Sequence, residues 1–131
     1  MKKDRLEIEH LLNSTSRNTV WRLIGTAEGL ALWIADSVSI DGRSMTFKWG
    51  DDWRHHEVRH ATLSTCDRYM RVRWQWDDDN DGSYVEIRME RSSLSGQYSL
   101  HITDFADDDD REWLADAWRH NFDRMRLASG V

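Results

Sequence analysis

Apolar and polar positions alternate through most of this chain, and the period changes three times. Leu6, Ile8, His10 and Leu12 alternate with Glu7, Glu9 and Leu11, the two-residue repeat of a first strand. The polar stretch Asn13 to Ser16 can cap a helix, and Val20, Trp21, Leu23 and Ile24 then take helical spacing up to Gly25. Thr26 can cap a second short helix, with Glu28 in the first turn at the positive end of the dipole. Its apolar residues are Leu30, Leu32, Trp33 and Ile34. Two short helices broken by one glycine predict a bent pair.

The period of two then returns. Val38 and Ile40 form one segment, and Met45, Phe47 and Trp49 the next. A longer strand is expected from about Trp53 to Ser64. Met70, Val72, Trp74 and Trp76 follow, then Val85, Ile87 and Met89, then Tyr98, Leu100 and Ile102. Strict alternation leaves one dry and one wet face. On the wet face Arg71, Arg73 and Arg88 stand within reach of Glu86 and Glu90, so cross-strand ion pairs are expected. The chain has no proline, and Asp41-Gly42, Asp81-Gly82 and Ser95-Gly96 supply its hairpin turns. Short connections predict that the six later strands form an antiparallel meander.

Helical spacing reappears at the end. After Thr103-Asp104-Phe105 and the acidic run Asp107 to Asp110, one face carries Leu114, Ala117, Trp118, Asn121, Phe122 and Met125. Asp109 and Glu112 have the spacing of a capping box. On the outer face, Asp123 is spaced to pair with Arg119 or Arg126. The order of elements predicts an α+β fold. A curved antiparallel sheet of about seven strands wraps on a long C-terminal helix, with two short helices after the first strand. A length of 131 residues makes this one domain over 1–131, large enough to bury roughly 65–70% of its unfolded surface.

Composition narrows the function. Eight tryptophans each need a packing partner and usually a partner for the N–H. A net charge of −6 argues against a nucleic-acid partner. The single Cys66 allows neither an internal disulfide nor a cysteine zinc site. No signal-peptide run and no apolar stretch long enough to span a membrane are present, which predicts a soluble, cytoplasmic protein.

Few residues suggest chemistry. Asp77, Asp79, Asp81 and Gly82 imitate the start of a calcium loop, but position twelve is Arg88 and the flanks are strands; a solvated hairpin loop is expected. His56 and His60 share a strand face but lie about 13 Å apart, and His55 points to the opposite face, so no metal site is expected. No serine sits in a nucleophile elbow, and nothing near Cys66 marks an activated thiol. Asp104, in phase with Leu100 and Ile102, is the one carboxylate placed for a dry position. Its plainest role is a carboxylate bonded to backbone near the final helix. No cofactor is expected.

Three motifs carry a family resemblance across nearly the whole chain. They are Glu28-Gly29-Leu30-Ala31-Leu32-Trp33-Ile34-Ala35-Asp36, the pair Phe47-Lys48-Trp49 with Arg71-Val72-Arg73-Trp74, and Leu94-Ser95-Gly96 through Thr103-Asp104-Phe105-Ala106. With the order of elements, the chain resembles the helix-grip fold of the START-like (SRPBCC) superfamily. The likeness is to small bacterial START-like proteins, and it is similar to domains of the activator of heat-shock-protein-90 ATPase. Many of those activator domains have a proline where Ala27 stands here.

The resemblance implies a cavity between sheet and helix and the binding of lipid-like or aromatic molecules. Trp33, Trp49, Trp74, Met89, Trp118 and Phe122 are expected to face that space, with Asn121 and His10 as polar groups able to orient a ligand. The bland alternative is a packed core. The expected function is non-enzymatic binding of a small apolar, aromatic or lipid-like ligand. The alternative is a protein-interaction module resembling the chaperone ATPase-activator domain. A cyclase- or hydrolase-like enzyme stands third, since it would need a buried acid or base facing an open cavity.

Overall fold

A computed structural model describes residues 3–50 and 57–131. The elements in chain order are β1 (Asp4–Leu11), α1 (Arg17–Gly25), α2 (Ala27–Leu30), β2 (Ser37–Asp41), β3 (Ser44–Trp49), β4 (Glu57–Asp67), β5 (Arg71–Trp76), β6 (Val85–Arg91), β7 (Tyr98–Ala106) and α3 (Arg111–Ser129). The expected start of the fourth strand at Trp53, and with it His55 and His56, lie outside the described residues. That strand continues past Ser64 to Asp67, because a register shift between Leu63 and Thr65 absorbs one residue and lets pairing resume.

The strands form one antiparallel sheet in the order β1-β7-β6-β5-β4-β3-β2. The hairpin chain from β2 to β7 follows sequence order. Its last strand closes against β1, with Leu6 opposite Asp104 and Ile8 opposite Ile102. The helical pair carries the chain from one sheet edge to the other, so the first strand ends beside the last.

Local sequence explains the helices. Ser16 caps α1 by accepting from the Thr19 N–H at 3.2 Å, and Thr26 caps α2 by accepting from the Gly29 N–H at 3.0 Å. A Cβ at position 29 would collide with the Arg22 carbonyl oxygen, so only glycine lets α2 fold back on α1. Helix α2 stops at Leu30, and Leu32 points outward rather than into the core. The capping box expected at Asp109 does not form. Asp110 is the N-cap in a helical rather than extended conformation and makes no side-chain cap bond. Asp107 accepts from the Asp110 N–H at 3.1 Å instead. On the outer face of α3, Arg119 pairs back with Asp116 at 2.6 Å, not forward with Asp123.

The core lies between the dry face of the sheet and the helices. Trp33, Phe47, Trp74, Ile87, Leu100, Ile102 and Met125 are almost fully buried there, with Trp118 and Phe122 on α3 completing it. On the wet face Glu86 is only 7% exposed and takes ion pairs from Arg73 at 3.0 Å and Arg71 at 3.5 Å. Arg88 pairs with Glu90 at 3.1 Å. At the end of α3, left-handed Gly130 turns the chain so that the Val131 carbonyl accepts from the Asn13 N–H at 3.1 Å. Among the described residues no helix is long and apolar enough to cross a membrane.

Candidate functional site

The space between sheet and α3 has a closed end and an open end. At the closed end, His10 stacks on Phe122 with centroids 4.1 Å apart and planes 6° from parallel. Phe122 in turn stacks with Trp33 at 5.8 Å. The Trp33 N–H donates to the Leu23 carbonyl at 2.9 Å, which locks this ring against α1. Burial, with help from nearby Arg126, holds the His10 imidazole below its ordinary pKa. Met89 is buried opposite Leu100. Of the expected ligand residues, Trp33, Met89 and Phe122 therefore pack this core, and half-buried His10 lies against its edge.

The open end lies beside the first turns of α3. A cavity of about 290 Å³ is bounded there by Trp49, Trp74, Trp76, Trp113 and Trp118, with Ile34, Val85, Leu114 and Ala117 filling the gaps between the indoles. Its polar lining is Glu57, Arg59, Asp104 and Asn121. An adjoining recess of about 170 Å³ shares Arg59, Trp76, Asp104, Trp113 and Leu114, and it extends the site toward Lys3, Asp107 and Asp110. The expected residues Trp49, Trp74, Trp118 and Asn121 meet here.

The sheet's alternation builds the walls. Trp74 and Trp76 are two residues apart on β5, and Arg59 shares the dry side with Ala61 on β4. Helix α3 brings Trp113, Ala117, Trp118 and Asn121 to one side, at successive intervals of four, one and three residues. The Trp49 N–H donates to the Ile34 carbonyl at 2.9 Å, which fixes one wall. The Trp118 N–H donates to Asp104 Oδ2 at 2.9 Å, which fixes another. Trp113 is 70% exposed and stands at the mouth. Among the described residues, Trp74 Nε1 is the buried side-chain polar atom left without a partner, an exception to the rule that each indole N–H finds one.

Asp104 is the more buried of the two acids on the described lining. Its Oδ1 accepts from the Phe105 N–H at 2.8 Å, so it is the backbone-bonded carboxylate the sequence suggests, and it also lines the cavity. Burial pushes its pKa up to about 6, against the opposing pull of the Trp118 and Phe105 hydrogen bonds and of Arg59 and Lys3. The Arg59 guanidinium carbon lies over the Trp76 ring, 4.0 Å from its centroid, and Arg59 pairs with Asp78 at 3.0 Å.

Trp76, Arg59 and Trp113 are among the lining residues that sequence reasoning did not single out as site residues. Trp76 is in phase with Trp74, and Trp113 lies four residues before Ala117, so helical and strand phase point to both. Nothing in the sequence marks Arg59, because its role depends on the Asp78 loop reaching across to it.

The Asp-rich loop is bonded within the protein. Lys3 reaches Asp79 at 3.2 Å and Asp81 at 3.5 Å, and Thr62 donates to Asp77 at 2.8 Å. Asp81 accepts from the backbone N–H and hydroxyl of Ser83. Of the histidines considered for a metal, His60 lies on the exposed side of β4 and bonds Thr46 at 3.2 Å. Among the described residues no group of three or more His, Cys, Asp or Glu side chains is placed to hold a metal ion.

A larger depression, about 520 Å³, crosses the wet face and is lined by Arg5, Glu7, Arg71, Arg73, Glu86 and Arg88 among others. Its charges are largely paired with one another, so the indole-lined cavity is the better candidate site for a small molecule.

Residues 1–129 match a sequence profile described as a START-like superfamily domain. Among solved structures, the chain is similar to a Bacteroides fragilis protein whose solution structure was determined by NMR. Sequence identity to it is 38%, covering 97% of this chain and 91% of that one, with a TM-score of 0.65. The fold is also similar to the Aha1 dimer of Colwellia psychrerythraea, at 14% identity, 97% and 98% coverage and a TM-score of 0.72. DynU16, from the dynemicin biosynthetic locus, superposes with a TM-score of 0.75 at 15% identity, over 97% of this chain and 48% of that one. No functionally curated protein matches the sequence.

Proposed function

This chain belongs to the START-like superfamily, and from that premise we propose that it binds a small apolar or aromatic ligand in the open end of its sheet–helix space. The observation that carries the reading is the cavity of about 290 Å³ whose described walls include five indoles. Its size is near the lower limit of small-molecule sites, and its composition, apolar with a few polar groups, is typical of them. A ligand there would lie against Trp49, Trp74 and Trp118, with Asn121 and Asp104 offering hydrogen bonds. The described lining contains no serine, cysteine or histidine, and both oxygens of Asp104 already accept hydrogen bonds. Binding without turnover fits this set best.

The test is a tryptophan-fluorescence titration with fused-ring aromatics, sterols and fatty acids, on the wild type and on Ala117→Phe. The reading expects saturable quenching by at least one class, lost when the added ring fills the cavity of a still-folded protein. No saturable ligand in any class would overturn it. The paired charges and the trough on the wet face would then support the second reading, an interaction module acting through its surface.

A further inference from the structure

Among the described residues, Asp104 is a largely buried carboxylate without a cation of its own. The two cations nearest its recess are committed elsewhere: Lys3 to Asp79 and Asp81, and Arg59 to Asp78. What Asp104 has are two N–H donors, from Trp118 and Phe105, and a cavity beside it walled by indoles. A buried carboxylate is costly unless its charge is compensated. Indole faces attract positive charge through their quadrupole, most strongly when water is excluded. The site already shows one such contact, the Arg59 guanidinium lying 4.0 Å from the Trp76 ring centroid.

Building on the proposed binding role, we infer that the natural ligand carries a positive charge: the cavity takes a compact alkyl- or arylammonium group, seated between the indoles and Asp104. The apolar body of the ligand fills the space lined by Ile34, Val85 and Leu114, and its charged head supplies Asp104 with the counter-ion that none of the described residues provides. The groups around that head favour the same sign. Glu57 lies on the lining from β4, and Asp107 and Asp110 come from the turn before α3. Arg59 and Lys3 oppose them, but each is neutralised by an aspartate in the β5–β6 loop.

This account makes binding depend on the ionised form of Asp104. Asp104 is charged above about pH 6 and neutral below it, so a cationic ligand binds more weakly as pH falls from 8 to 5. By the same linkage, the bound cation lowers the pKa of Asp104.

Phenyltrimethylammonium and tert-butylbenzene make the test, since they share a shape and differ in charge. Calorimetric titrations at pH 8 and pH 5 compare them on the wild type and on Asp104→Asn. The inference expects the cation to bind wild type about tenfold tighter than its neutral isostere at pH 8. That preference should collapse at pH 5 and in Asp104→Asn. If tert-butylbenzene binds wild type at pH 8 as tightly as the cation, the charge assignment is wrong while the binding role stands. A cation preference that persists unchanged at pH 5 removes Asp104 as its source and overturns the inference. If neither compound binds, the inference and the binding role fall together. The comparison on the wild type decides even if Asp104→Asn proves unstable.

Discussion

The indole N–H of Trp118 donates to Asp104 Oδ2 at 2.9 Å, which ties α3 to β7, the strand that closes the sheet against β1. Trp118 also packs on Trp33 and Phe122, with centroids 5.9 and 6.3 Å away. It thus stands at the boundary between the closed core and the open cavity.

That position sets the cost of removing it. Trp118→Ala should destabilise by about 3–5 kcal/mol, from lost burial and the space left behind. It also strips Asp104 of a donor. Trp118→Phe keeps a ring but loses the bond, and should cost about 1–3 kcal/mol. Urea denaturation of both variants checks the pair. A loss below 1 kcal/mol for Trp118→Ala would contradict the packing described.

Asp104 gives the protein a pH signature. Its folded pKa of about 6 lies above its ordinary value of 3.8. The folded state therefore holds the proton more tightly than the unfolded state. The stabilisation from that proton is complete below about pH 4 and is lost as pH rises through 6. The shift corresponds to roughly 3 kcal/mol. Asp104→Asn cannot ionise, so the stability of wild type relative to this variant should fall by about 2–3 kcal/mol between pH 4 and pH 7. Denaturant midpoints across that range measure it, and a flat difference would show that Asp104 is not buried as described.

Alternation makes the architecture legible in the sequence. Val72, Trp74 and Trp76 show which side of β5 is dry, and the spacing from Leu114 to Met125 shows which side of α3 meets it. The site was half legible for a physical reason. Phase identifies the residues that face the interior, but not where packing closes the space. Trp33 and Phe122 look the same in sequence as Trp49 and Trp118. They differ because His10 stacks on Phe122 and seals that end. Arg59 escaped notice because its partners come from a loop nineteen residues on.

That loop yields a third expectation. Cations of the protein itself occupy Asp78, Asp79 and Asp81. Hydrogen bonds from Ser83 hold the Asp81 carboxyl down at about 2. Millimolar calcium should leave the melting temperature unchanged, since the metal would have to displace Lys3 and Arg59 and would still lack its twelfth-position ligand. A clear calcium-dependent rise, abolished by Asp79→Ala, would show the opposite.

The binding role itself is read most directly from the indole N–H signals of ¹⁵N-labelled protein titrated with tert-butylbenzene and with phenyltrimethylammonium. Trp49, Trp74, Trp76, Trp113 and Trp118 line the cavity, while Trp21 packs on Tyr69 and Trp33 sits in the closed core. Saturable shifts are expected at the first five signals, assigned by single substitution, with Trp21 and Trp33 unmoved. Silence at all five with both ligands, or shifts centred on Trp21 or Trp33, would contradict the binding role.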